Sequence, residues 1–310
     1  MADETCCVCD QPAAHELGNR PYCDEHFEHA LRHNRGLWRT GIASLIALVV
    51  FTAVVALGAE LLPSDLSDAA LTILGLVLAI VPAVLWLSYF YFQDRLEPEP
   101  HQYVAAVFLV SAILADVVGR RLLLELFDIE TWLPINNTSA LVGSILVIGF
   151  TLEFIKYVSV RYTIYPTNEF DERMDGIVYG TAAGLGVATM LNLRFILDSG
   201  GADLGLSVFH VVVSALAQGT FGGLTGYFLG EMKFIDEPHW WMPAGLALSA
   251  VLNGVFLWLV GEINAAGLDV APVRGLVFAF VVAGLTFGGL SWLMRRAIAR
   301  TLAADRGGSA

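Results

Sequence analysis

The chain is built from long, nearly uncharged apolar blocks, and no other feature limits its fold so strongly. About eight stretches reach the roughly 20 residues that an α-helix needs to cross a bilayer. They cover residues 41–62, 69–91, 102–123, 140–163, 175–193, 205–229, 241–261 and 271–294. A segment in hydrocarbon must satisfy its own backbone, which leaves helices or a closed barrel. The blocks lack the short alternating pattern of barrel strands. The sequence therefore predicts an all-α, polytopic membrane helix bundle with the lipid bilayer as its main partner. Composition agrees, since 56% of the 310 residues are hydrophobic and soluble chains sit near about 45–50%. The net charge of -13 speaks against a nucleic-acid partner, because phosphate binding needs clustered Lys and Arg.

Basic residues set the expected orientation, because they gather in cytoplasmic loops. Arg32, Arg35 and Arg39 precede the first block, Arg95 follows the second, and Arg161 and Arg173 flank the loop after the fourth. Lys233 follows the sixth block, and Arg295, Arg296 and Arg300 follow the eighth. With an even number of crossings these share one side. Arg120, Arg121, Arg194 and Arg274 stand against the trend. The reading is a multi-pass protein of the cell membrane with both termini in the cytoplasm. The first 40 residues hold no apolar stretch long enough for a signal peptide, so the first span is expected to serve as its own insertion signal.

All four cysteines fall in the first 23 residues, which excludes a disulfide framework for the chain. Cys6 and Cys9 form one pair, and after thirteen residues Cys23 and His26 form another. Two such knuckles suit tetrahedral Zn2+ with a Cys3His set. A segment this short cannot bury enough core to fold unaided, and a structural metal supplies the difference. Cys7, His15, His29 and His33 are spare ligands. The alternative is a set of reduced thiols on a flexible tail. The expected organisation is a cytoplasmic Cys/His module over 1–36, a transmembrane domain over 37–297 and a cytoplasmic tail over 298–310. The module is expected to recruit a cytoplasmic protein partner rather than perform chemistry.

Glycines recur every four residues at Gly176, Gly180 and Gly184, at Gly222, Gly226 and Gly230, and at Gly284 and Gly288. Small residues at this spacing let helices approach closely in a bilayer. Ionisable groups at bilayer depth are costly and so are functional candidates. Glu153, Lys156 and Tyr157 share one face of the fourth block, His210, Ser214 and Gln218 form a stripe in the sixth, and Ser249 and Asn253 lie one turn apart in the seventh. Asn192 ends the fifth block, and Asp116 in the third is expected to pair with Arg120 one turn on. Glu153, His210 and Asn192 together would make a water-filled pocket with a general base and an oxyanion donor. The same groups also suit an ion path or an inert polar core.

Three stretches carry a family resemblance: DRLEPEP (Asp94 to Pro100), LEFIK (Leu152 to Lys156) and FDERMDGIVYGTAAGLGVA (Phe170 to Ala188). They resemble the PrsW family of intramembrane glutamate-type proteases, related to the CAAX prenyl proteases and bacteriocin-processing membrane enzymes. The resemblance spans about residues 70 to 260 and leaves out the Cys/His module. It implies a membrane protease that cuts other membrane proteins, with Glu153, Lys156, Asn192, His210 and Asn253 at the family's catalytic positions. The departures are selective. The family's Glu-Glu-x-x-Lys reads Leu152-Glu153-x-x-Lys156 here, its Phe-x-x-x-Glu reads Val187-x-x-x-Leu191, and Ser249 stands at a His position. Leucine takes no proton from water, and losing a general base costs about two to four orders of magnitude in rate. The expected function is a homologue with reduced or lost peptidase activity that binds transmembrane segments in an intramembrane cavity. The alternatives are an active endopeptidase using Glu153 and His210, and a non-catalytic scaffold or transporter.

Overall fold

A computed structural model of the chain describes residues 5–6, 9, 11–17, 20–31, 37–61, 67–93, 99–199, 204–235 and 237–265, with scattered positions between 277 and 296. The N-terminal module holds strands β1 (His15–Leu17) and β2 (Arg20–Tyr22), paired antiparallel, and helix α1 (Asp24–Leu31). The bundle follows as α2 (Leu37–Gly58), α3 (Asp68–Gln93), α4 (His101–Leu126), α5 (Asn137–Thr163), α6 (Arg173–Asp198), α7 (Leu204–Phe234) and α8 (Trp241–Ala265). Six helices of the described residues are long and apolar enough to cross a membrane, and a shorter apolar run covers Ile42–Gly58. These account for the first seven predicted spans. The eighth, 271–294, lies largely outside the described residues.

Burial separates the centre from the ring. The α6 and α7 spans are 83% and 78% buried over their most apolar windows, against 33–39% for the other four. Outward faces stay apolar, with Val54, Ile73, Leu109 and Leu146 each more than half exposed. That is the pattern of a bundle whose solvent is lipid, since water-soluble surfaces avoid contiguous apolar patches.

Six of the predicted glycines set the central contact. A Cβ on Gly180 would sit 2.3 Å from the Gly222 carbonyl oxygen, and one on Gly226 would sit 1.8 Å from that of Gly176. The backbones of α6 and α7 thus touch, as small residues allow. For Gly284 and Gly288, a Cβ on either meets nothing within 4 Å among the described residues. Gly186 lets α4 approach α6 just as closely, its Cβ position lying 2.2 Å from the Phe108 carbonyl oxygen. There the Ser111 hydroxyl donates to the Ala183 carbonyl at 2.8 Å.

Candidate functional site

The Glu153 side chain is fully buried and gathers polar groups from three helices in one knot. Lys156, one turn on in α5, donates to Oε1 at 2.5 Å. Asn253 Nδ2 of α8 donates to the same oxygen at 2.8 Å, and Thr225 Oγ1 of α7 donates to Oε2 at 2.8 Å. Gln218 of α7 exchanges hydrogen bonds with Asn253 at 3.1 and 3.2 Å. All five side chains are buried, so each charge and amide is answered inside the bundle. Glu153 and Lys156 are therefore brought together as their spacing suggested, and Asn253 joins them as the family resemblance implied. Thr225 was missed, because a lone threonine in a glycine-rich helix carries no signal of its own.

His210 and Asn192 stand elsewhere, which corrects the shared pocket. His210 precedes Thr225 by fifteen residues on α7, roughly 20 Å along the axis at 1.5 Å per residue. Its side chain is exposed and stacks on Phe195 at 4.1 Å between ring centroids. Asn192 is buried near the same level and donates through Nδ2 to the Val211 carbonyl at 3.1 Å. That axial separation is too long for one water to join His210 to Glu153. The expected Asp116–Arg120 pair is also corrected. Asp116 receives both Nε and NH2 of Arg194, from α6, at 2.8 and 2.7 Å.

Leu152 points about 100° away from Glu153 into an apolar cluster. Ala115, Leu152, Ile155 and Val187 form its buried part, with Leu191 and Leu257 packed against it. Leu152, Val187 and Leu191 come from two helices and 40 residues of sequence, and they meet here. Three of the four positions that depart from the protease pattern are one place in space, and the fourth, Ser249, is not part of that cluster.

The other family-like stretches meet at the far end of α6. Asp175 Oδ2 accepts from the backbone N–H groups of Asp171 and Glu172, each at 2.7 Å, and so caps the helix. The Tyr179 hydroxyl donates to Glu99, the last acid of DRLEPEP. Asp94 to Pro98 of that stretch lie outside the described residues. Lys233 closes the end of α7, donating to the carbonyls of Tyr165 and Thr167 at 2.7 and 3.2 Å. These contacts give the two stretches a local structural role that the resemblance alone does not supply.

In the N-terminal module the ligand atoms of Cys6, Cys9, Cys23 and His26 lie within 4.8 Å of one another. Cys9 and Cys23 sulfurs are 3.8 Å apart, and His26 Nδ1 is 3.1–3.7 Å from the three sulfurs. A tetrahedral zinc site with metal–sulfur bonds of about 2.3 Å has edges of about 3.8 Å, so the group fits a metal ion. His15 is no ligand, since it bonds Asp24 at 2.6 Å and stacks on Phe27. A backbone hydrogen bond from Gln11 pulls the Cys9 thiol down, but burial and the neighbouring Cys23 and Cys6 push it above its ordinary range. A bound metal would have to displace that proton.

Comparison with known proteins follows the same residues. A family model described as PrsW family intramembrane metalloprotease matches residues 99–285. Protease PrsW of Geobacillus kaustophilus is 28% identical over 184 residues, 58% of this chain and 77% of that protein. Protease PrsW of Bacillus subtilis is 28% identical over 192 residues, 60% and 82% of the two chains. Protease PrsW of Clostridioides difficile is 25% identical over 184 residues, 58% and 76%. No solved structure matches. The family description implies a catalytic metal, and the described donors inside the bundle do not fit one. Glu153 is already committed to an ammonium, an amide and a hydroxyl. Among the described residues the only group of three or more His, Cys, Asp or Glu donors is the N-terminal one.

Proposed function

This chain belongs to the PrsW family of intramembrane metalloproteases, and on that premise we propose that it binds transmembrane segments of other proteins with its peptidase activity reduced or lost. It is a multi-pass membrane protein, so its substrates or clients share its bilayer. The observation that carries the proposal is the apolar cluster around Leu152, Val187 and Leu191. Peptide hydrolysis by water needs a base within hydrogen-bond reach of that water; leucines hold the two positions where the family pattern has glutamates, and the acid that borders the cluster, Asp116, is committed to Arg194 at 2.7 and 2.8 Å. Glu153 is the nearest acid in sequence, and its ammonium partner at 2.5 Å holds it as an ion pair.

The second reading, an active membrane endopeptidase, is favoured by the name Protease PrsW that the relatives carry. It would use Glu153 as base with His210, Asn192 and Asn253 in support, and it requires those groups to converge. One experiment separates the two. The parent, Glu153→Gln, and Leu152→Glu with Leu191→Glu are compared on a reporter membrane protein. We expect little cleavage by the parent and a gain when both carboxylates return. Cleavage by the parent that Glu153→Gln abolishes would overturn the proposal.

The N-terminal module is assigned Zn2+ in a structural, fully protein-ligated site at Cys6, Cys9, Cys23 and His26. The distribution of arginines supports a cytoplasmic position for it and for both termini, where it would recruit a protein partner. Purified full-length protein is expected to carry about one zinc per chain. Cys9→Ser should lower that to well under half an equivalent, read by metal analysis, because one ligand lost from four opens the site.

A further inference from the structure

We propose that the outer half of α4 is a lateral gate, latched to α6 by Asp116 and Arg194, through which a transmembrane segment reaches the apolar cluster. The proposal rests on the client-binding reading above and adds its entry route. Here "outer" means the Leu126 end of α4, opposite the Asp175 cap.

The two halves of α4 are held by different means. The inner half meets α6 at backbone distance, through Gly186 against Phe108 and the Ser111 bond to Ala183. Contacts of that kind have no slack. From Ala115 onward α4 becomes π-helical, over Ala115–Arg120 and again over Leu122–Leu126. Such segments widen a helix, are uncommon, and gather at functional sites. Beyond the junction Gly119 and Leu123 still pack inward, a Cβ on Gly119 meeting the Ile155 side chain of α5 at 2.7 Å, while Val117, Val118 and Leu126 are 50%, 39% and 68% exposed, so this half is seated on a side chain of α5 rather than on the backbone of α6. The bidentate Asp116–Arg194 pair ties this half to α6.

The pair is suited to opening. Arg194 and Asp116 side chains are 40% and 22% exposed, whereas Glu153 and Lys156 are sealed at 0%. A sealed pair cannot part without stranding a charge. A partly exposed one exchanges its partner for water at small cost. Arg194 lies four residues before the end of α6 at Asp198, about 6 Å, so its long side chain reaches the interface when released. The latch also sits directly on the cluster. Ala115 precedes Asp116, and Leu191 lies one turn before Arg194. Parting the pair uncovers an apolar wall, which fits an uncharged stretch of a single transmembrane helix.

The test uses full-length protein in phospholipid nanodiscs with Val187→Cys as a reporter inside the cluster. Its labelling by a membrane-permeant maleimide is read by mass spectrometry on the peptide carrying position 187, which sets the native cysteines aside. Asp116→Asn should speed labelling about fivefold. The reversed pair, Asp116→Arg with Arg194→Asp, should return the parent rate. Arg194→Lys, which keeps the charge and loses the fork, should fall between and serves if the Asn variant does not fold. Equal labelling in parent and Arg194→Lys would overturn the gate. A photoreactive Leu/Ala transmembrane peptide of about 20 residues is the client probe. It should crosslink to α4 and α6 more strongly in the faster variants. Faster labelling without any peptide crosslink would overturn the client route, whereas crosslinking that is equal in every variant would overturn the gate and leave client binding standing.

Discussion

Leu152 and Glu153 are adjacent in the chain and stand in opposite surroundings. Around Glu153, one carboxylate, one ammonium, two amides and a hydroxyl satisfy each other at 2.5–3.2 Å. Around Leu152, eight apolar side chains from four helices pack together. Inside a bilayer a polar group persists where a neighbour answers it, because water does not. The network around Glu153 meets that condition without any ligand. A carboxylate at Leu152 would meet it only with partners at Val187 and Leu191, and those positions are apolar as well. The difference teaches that the departures from the protease pattern are consistent with one another: a lone surviving acid there would be a charge without company.

The largest effect should come from breaking the network on one side. Glu153→Ala leaves Lys156 buried and without its carboxylate partner, which costs about 3–5 kcal/mol. Glu153→Gln together with Lys156→Met removes both charges and should recover most of that loss. Thermal unfolding in detergent reads both variants, and equal destabilisation by the single and double changes would deny that the pair is a sealed ion pair. The reverse operation on the other region should be milder. Leu152→Gln keeps the volume and adds an amide among the apolar side chains of Ala115, Ile155, Val187, Leu191 and Leu257. An unanswered buried amide costs about 1–3 kcal/mol, so a Gln variant as stable as the parent would mean that the cluster admits water.

How far the sequence carries depends on whether the signal is local. The helices are legible because spanning a bilayer demands length and low charge within one segment, and α3 to α8 follow. Glu153 with Lys156 is legible from a step of three, and Cys6, Cys9, Cys23 and His26 from paired knuckles. Partners chosen across helices are not. Asp116 takes Arg194, 78 residues away, over Arg120 one turn on, because the fork geometry of a guanidinium rewards a bidentate approach from a facing helix. His210 and Glu153 share a motif set in the family, yet the long axis of α7 separates them, and no spacing rule reports axial level between helices. The Gly284 and Gly288 pair shows the converse. Its period matches the packed glycines, but no neighbour stands within 4 Å among the described residues, and period alone does not name one.

The smallest effect tests the border between the two regions. Ser249 lies one turn before Asn253 on the same face of α8, is fully buried, and its hydroxyl finds no hydrogen-bond partner among the described residues. It stands where the family pattern has a histidine. If the polar network ends at Asn253, this hydroxyl is desolvated without return, and removing it relieves that cost while leaving a cavity of one oxygen. The two terms nearly cancel, so Ser249→Ala should stay within about 0.5 kcal/mol of the parent or exceed it. Asn253→Ala, which strands Gln218 and one contact of Glu153, should cost about 1–3 kcal/mol by the same measurement. A loss above about 1 kcal/mol for Ser249→Ala would place the serine inside the network. The border between answered and apolar chemistry would then lie at least one helical turn from Asn253, and the histidine position would count among the polar sites that this chain has kept.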